Sequence, residues 1–203
     1  TALTFTGNDV NATLDLHSAG FGAVSLEANA VTAHSMNAFD SVNVADNRLF
    51  VRQRDVNVTG ARRRPVHDDG GSLLDARGVW IDRVAVRRNA VDITAPLLYG
   101  VAFLIVREIF VNRSIVAVDN EMMLVGSGVA SINMGNVDFG DGATLNCSHN
   151  EIEGVSWTGD GAGGIVMFAG SIIPFRFLGD AFVASNNRIR LDQRRTHMTP
   201  AAG

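Results

Sequence analysis

Seven short segments of the chain are apolar on both sides of an asparagine but in opposite phase, and nothing else in the sequence restricts the fold as much. They are LTFTGNDV, VSLEANAV, VNVADNRL, VAVRRNAV, IVAVDNEM, LNCSHNEI and FVASNNRI, centred on Asn8, Asn29, Asn47, Asn89, Asn120, Asn150 and Asn187. Five residues before the asparagine stand Leu3, Val24, Val42, Val84, Ile115, Leu145 and Phe182. Three before it stand Phe5, Leu26, Val44, Val86, Ala117, Cys147 and Ala184. Two after it come Val10, Val31, Leu49, Val91, Met122, Ile152 and Ile189, and four after it six of seven are again apolar, Gly154 being the exception.

Side chains alternate faces along a strand, so the two apolar sets fall on opposite faces of any straight strand. A sharp bend at the asparagine returns both sets to one interior, and asparagine enters the left-handed region more readily than other non-glycine residues. Strand, bend, strand units recurring every 18 to 42 residues are expected to stack as parallel strands about 4.8 Å apart. The fold class this implies is all-β, a right-handed parallel β-helix, with the asparagine amides forming a ladder along the inside of the bends. A sandwich would need a regular series of NG or DG hairpins, and a left-handed coil a hexapeptide period; neither is present. The array is expected over residues 1–192 as part of a longer one, followed by a frayed tail at 193–203.

Between bends each unit needs further strands, and the candidates are DVNV (55–58), GVWI (78–81), VAFLIV (101–106), VASINM (129–134) and GIVMF (164–168). Loops are expected at GARRRPVHDDGGS (60–72), GNVDFGDGA (135–143) and TGDGAGG (158–164), which are rich in glycine, proline and charge. VAFLIVREIFV and GIVMFAGSIIPFRF are apolar on both strand faces, so the outer face needs a cover, either the chain's own loops or a partner.

With 46 % hydrophobic residues in 203, the chain is long and apolar enough for one sizeable core. A formal charge of -4 supplies no basic field for nucleic acid, so that partner is not expected. All 17 cationic side chains are arginine. The longest apolar run, at 95–106, stops at Arg107 and Glu108, short of the roughly 20 residues that span a bilayer. A soluble chain is expected, and its start at Thr1 in mid-pattern reads as a fragment or processed piece. A lone cysteine, Cys147, rules out an internal disulfide or a cysteine-rich zinc site.

Catalytic patterns are sparse. One residue after the bend asparagines stand Asp9, Ala30, Arg48, Ala90, Glu121, Glu151 and Arg188, which stacks Glu121 beside Glu151 with Arg188 beyond. Three after them, Asn11, Thr32, Phe50, Asp92, Met123, Glu153 and Arg190 form no acidic cluster. HDDGG (67–71) and RIRL (188–191) resemble elements of polygalacturonases, but the lysine and the Gly-His-Gly element of that family are missing. His17, His34, His67, His149 and His197 show no metal-ligand spacing, and no metal or cofactor is expected. Arg62 to Arg64 form a solvated charge run with an anionic glycan as the sharper alternative.

Asn11, Asn57, Asn112 and Asn146 head Asn-X-Ser/Thr sequons, and Asn11 and Asn146 fall on outward positions by the parity above. Units such as VSLEANAVTA and VNVADNRLFV, with GIVMF-type runs between them in a lysine-free chain, resemble the dispersed gene family surface proteins of trypanosomatid parasites. That resemblance implies a large cell-surface glycoprotein with pectin-lyase-like β-helices and an adhesive role. Three readings follow. The first is a non-enzymatic extracellular or cell-surface scaffold that binds glycans or proteins. The second is a carbohydrate-active lyase or hydrolase. The third is an assembly subunit, associating end to end through strand edges left open at its ends or through an apolar side face.

Overall fold

A computed structural model describes residues 2–14, 27–34, 38–53, 70–94, 100–126, 128–156, 162–168, 176–177 and 181–193, and among them there is no helix. The strands are β1 (Ala2–Thr6), β2 (Asp9–Leu14), β3 (Glu27–His34), β4 (Ala38–Ala45), β5 (Arg48–Gln53), β6 (Gly70–Arg77), β7 (Trp80–Arg87), β8 (Ala90–Thr94) and β9 (Gly100–Val118). They continue as β10 (Glu121–Gly126), β11 (Gly128–Phe139), β12 (Thr144–Ser148), β13 (Glu151–Ser156), β14 (Ala162–Phe168), β15 (Arg176–Phe177), β16 (Ala181–Ser185) and β17 (Arg188–Gln193). Every pairing between them is parallel. Eleven strands form one sheet, and β2, β5, β8, β10, β13 and β17 form a second, six-stranded one.

The chain passes from the first sheet to the second six times, at Asn8, Asn47, Asn89, Asn120, Asn150 and Asn187, and each time the register puts like residue over like residue. Leu3, Val42, Val84, Ile115, Leu145 and Phe182 make one column. Val10, Leu49, Val91, Met122, Ile152 and Ile189 make another on the opposite sheet. In the middle of the stack both columns are buried, from Val42 and Leu49 through Leu145 and Ile152. The parity change across the asparagine therefore delivers both apolar sets to one core, which also takes in Leu74, Ile81, Ile109 and Phe139.

The bend itself is divided between two residues. Positive φ angles belong to the residue before each asparagine: Gly7 (69°), Asp46 (57°), Arg88 (52°), Asp119 (56°), His149 (56°) and Asn186 (54°). Gly, Asp, His and Asn tolerate this region best, so the local sequence suits the turn everywhere except at Arg88. There the Arg88 guanidinium makes two hydrogen bonds to the Asp46 carboxylate of the neighbouring bend, at 2.7 and 2.8 Å. Those bonds hold the Asp46 carboxyl below its ordinary value. A depressed folded-state pKa contributes stability above the unfolded value, and that contribution is lost as pH falls through the acid range.

The asparagine, freed from making the turn, makes the ladder. Asn47 shows the full accounting. Its Oδ1 accepts from the backbone N–H and the side-chain amide of Asn8, both at 3.0 Å. Its own N–H and Nδ2 donate to Asn89 Oδ1 at 3.1 and 3.0 Å, and Nδ2 donates again to the Phe5 carbonyl at 2.9 Å. Its carbonyl accepts from the Ala90 N–H at 2.9 Å. Asn89, Asn120 and Asn150 repeat the pattern toward Asn187. A buried polar side chain is costly unless satisfied, and here every group of it is.

Asn29 departs from the expectation. It lies within β3, which runs on through it and pairs it with Ser72. The residue before it is Ala28, not one of the Gly, Asp, His or Asn residues that precede five of the other six bends. Ladder intervals are accordingly 39, 42, 31, 30 and 37 residues, without the 18 that Asn29 implied. Conversely, the bend between β6 and β7 uses Gly78 (φ 63°) followed by a buried Val79, so GVWI is half bend and half strand. Gly70–Ser72 opens β6 and Ala162–Gly164 opens β14 where loops were expected, and within 135–143 only residues 140–143 turn. Residues 55–58, most of the 60–72 loop and 194–203 lie outside the described residues.

Asn120→Ala removes the acceptor for two Asn89 donors and the amide that donates to the Val86 carbonyl. It is expected to cost about 2–5 kcal/mol in urea denaturation. Asp119→Gly should be near neutral, whereas Asp119→Val should cost about 1–2 kcal/mol, because a β-branched residue resists the left-handed region. Burial pushes the Cys147 thiol up to about 12. The native protein should therefore not react with a disulfide reagent at pH 8 and should react fully once unfolded.

Candidate functional site

On the second sheet the positions two and four after each asparagine point inward, so those one and three after it form the outer face. Register places Asp9, Arg48, Ala90, Glu121, Glu151 and Arg188 in one row across the strands. Asn11, Phe50, Asp92, Met123, Glu153 and Arg190 form the next row. The right-handed twist of a parallel sheet makes such a face concave along one diagonal. Here it holds a groove of about 720 Å³ lined by residues of both rows from Asp9 to Glu153.

Two apolar side chains stand open in this groove, Phe50 at 40 % exposure and Met123 at 37 %. Carboxylates surround them. Arg52 grips Asp92 through two hydrogen bonds, at 2.7 and 2.5 Å, and lays its guanidinium 3.8 Å from the centre of the Phe50 ring. That cation–π contact and the bidentate pair fix the Phe50 ring beside the Asp92 carboxylate. At the far end Arg188 meets Glu151 at 3.1 Å and Arg190 reaches Glu153 at 4.0 Å. Both arginines are more than four-fifths exposed, so these pairs contribute only about 0–1 kcal/mol each. Glu121, midway along the groove, has no ion pair among the described residues. Such a surface accepts hydrogen bonds through its carboxylates and offers an apolar contact between them.

The stacking of Glu121, Glu151 and Arg188 agrees with the spacing read from the sequence. What a residue-by-residue reading missed is that the two outward rows act together: neither is a cluster alone, and interleaved they enclose Phe50 and Met123 with acids. The available signal was an aromatic and a methionine at outward positions of otherwise polar rows.

The sequons fall on different surfaces. Asn11 is exposed and is one of the residues that line the groove. Asn112 is exposed, but its Nδ2 donates to Asp82 at 2.6 Å. Asn146 is half-buried, and its Oδ1 accepts from the Ser148 hydroxyl of its own sequon at 2.6 Å. Asn57 lies outside the described residues, as do His17, His67, His197 and Arg62 to Arg64. His149 occupies a bend, 3.1 Å from the Asn186 amide. Of the polygalacturonase-like HDDGG, residues 67–69 lie outside the described residues and Gly70 and Gly71 open β6 in the first sheet; residues 188–191 lie in β17 at the end of the second. A separate apolar feature is Trp80, 66 % exposed, which packs on Phe110 with ring centres 5.1 Å apart.

Among the described residues no three His, Cys, Asp or Glu side chains converge as a metal site, and no helix is long and apolar enough to cross a membrane. Comparison with family models, curated proteins and solved structures finds no match.

Proposed function

We propose that this chain is a right-handed parallel β-helix serving, without catalysis, as an extracellular or cell-surface recognition scaffold whose groove takes a glycan or a protein loop. In-register parallel pairing across six passes supports the coil, and the near-universal hand of parallel crossovers supports its right-handedness. The observation that carries the binding reading is Phe50 and Met123 standing exposed among Asp92, Glu121 and Glu153. A sugar has an apolar ring face for Phe50 and hydroxyls for the carboxylates; an arginine-bearing protein loop has the same two characters. The exposed sequon at Asn11 and the resemblance to trypanosomatid surface proteins support the location.

A hydrolase reading draws on the adjacent Glu121 and Glu151, the two carboxyls such chemistry needs. Glu151 also meets the exposed Arg188, a pair too weak to commit it to either role. Recognition asks only for the open surface.

Binding is to be measured on an array of neutral and cationic glycans together with arginine-rich peptides, followed by titration of the strongest binder. Phe50→Ala and Glu121→Gln should each weaken that titration by about tenfold while leaving the denaturation midpoint in place. Binding that survives both substitutions would remove the groove from the account, and turnover of a glycan on the array would replace recognition by catalysis.

A further inference from the structure

The Asn112 sequon and the exposed Trp80 share one outer face of the first sheet, on strands that lie inside the stack. Phe110 and Asn112 stand two residues apart on β9, which sets both on its outer side about 7 Å from each other; Val111 between them is buried. Register places Trp80 of β7 directly beside Phe110, and the two rings pack with centres 5.1 Å apart. Phe110 is half-buried by this contact, yet Trp80 stays 66 % exposed. An indole left in water forgoes most of the stabilisation that its burial would bring, so the pair is a surface suited to a cover.

The local backbone presents Asn112 beside that surface. Between Ile81 and Arg83 the register of β7 on β9 slips, so that Asn112 and Arg113 together oppose the single residue Asp82. Such a bulge re-aims side chains, and both Asn112 and Arg113 are exposed. Asp82 holds the two, accepting from Asn112 Nδ2 at 2.6 Å and from Arg113 Nε at 3.1 Å. An amide nitrogen carries two hydrogens, so one serves Asp82 while the other is replaceable by a sugar with the Asp82 bond kept. On the opposite side of β9 stands Gly140, where any Cβ would come 2.9 Å from the Asn112 carbonyl oxygen and 3.1 Å from its Oδ1. No side chain at that position crowds the amide.

We propose that Asn112 carries an N-linked glycan whose first N-acetylglucosamine lies back over Phe110 and Trp80. Arg113 and Ser114 complete the Asn-X-Ser acceptor. The donor is a lipid-diphosphate-linked oligosaccharide: its bond from the anomeric carbon to the diphosphate oxygen breaks with the electron pair left on oxygen, a bond from that carbon to Asn112 Nδ2 forms, and the amide proton passes to a base of the transferring enzyme. The inference rests on the extracellular reading, because this transfer is made on chains entering a secretory route. The sugar fits the surface through the pyranose face that presents only C–H groups, which stacks on the aromatic pair while the hydroxyls stay in water. Asp82 keeps the remaining N–H of the linkage and with it the direction in which the sugar leaves the strand.

The whole chain is to be made behind a secretion leader in a eukaryotic cell line and, without sugar, in bacteria. Trypsin releases Asn112 in the peptide EIFVNR, residues 108–113, which holds no other sequon. Mass spectrometry of that peptide, after enzymatic deglycosylation in heavy-oxygen water, should show most of Asn112 converted to labelled aspartate. The secreted chain, trimmed to one sugar per site, and the bacterial chain are then unfolded in urea, each with and without Trp80→Ala. The sugar should raise the folding equilibrium constant about fivefold more with Trp80 present than without it, and sugars at other sites cancel in that comparison. In the unsubstituted glycoprotein, NMR should find Trp80 ring protons close to those of the first sugar. An unoccupied Asn112, or an occupied one with neither the coupling nor the proximity, would overturn the inference. The cell line supplies the secretory route, so such a failure falls on Asn112 alone. The extracellular reading fails instead if the natural protein bears sugar on none of its sequons, and this inference falls with it.

Discussion

A two-acceptor, three-donor asparagine at each bend is the interaction on which the rest of this protein depends. Parallel strands need every crossing to deliver the next strand in the same register, and a bend strips backbone groups of the partners that a straight strand supplies. The asparagine side chain returns a partner: its oxygen takes the N–H and amide of the preceding bend, and its nitrogen also donates to a strand carbonyl three residues before that bend. Inside the core, where an unmet amide is expensive, this arrangement is stable only when the next asparagine lies directly above. The ladder therefore fixes register as well as supporting the turn.

Much of this was legible in the chain and some was not, for identifiable reasons. The parity switch was visible because burial acts on every alternate residue, and the columns from Val42 to Leu145 and from Leu49 to Ile152 follow from it. The location of the left-handed residue was misread: asparagine has the propensity, but the preceding residue takes the conformation, leaving the asparagine free to hydrogen-bond inward. Ala28 lacks the short polar side chain or glycine found before five of the six asparagine bends, and Gly78 supplies a left-handed residue where no asparagine follows. A search keyed on Gly, Asp, His and Asn at the preceding position would have set these two cases apart, though it would have missed the bend at Arg88. Glycine-rich stretches at 70–72 and 162–164 were read as loops from composition, yet they enter strands because parallel neighbours on the sheet override local preference.

Outward chemistry was harder to read. Each outward row is set by a single offset, and neither Asp9 to Arg188 nor Asn11 to Arg190 carries a recognisable pattern. The groove arises from their interleaving on a twisted face, and Arg52, which orders Phe50 and Asp92, lies five residues beyond its bend where no offset argument had reason to look. The proposed recognition role rests on that juxtaposition.

The central claim is that backbone amides at the bends are tied to the side chain of the following asparagine. Scalar coupling across hydrogen bonds, measured by NMR on isotopically labelled protein, addresses this directly. The account predicts couplings from the backbone nitrogens of Asn47, Asn89 and Asn120 to the side-chain carbonyl carbons of Asn89, Asn120 and Asn150, with slow solvent exchange at those amides. Absence of the couplings, with exchange as fast as in unstructured chain, would contradict it.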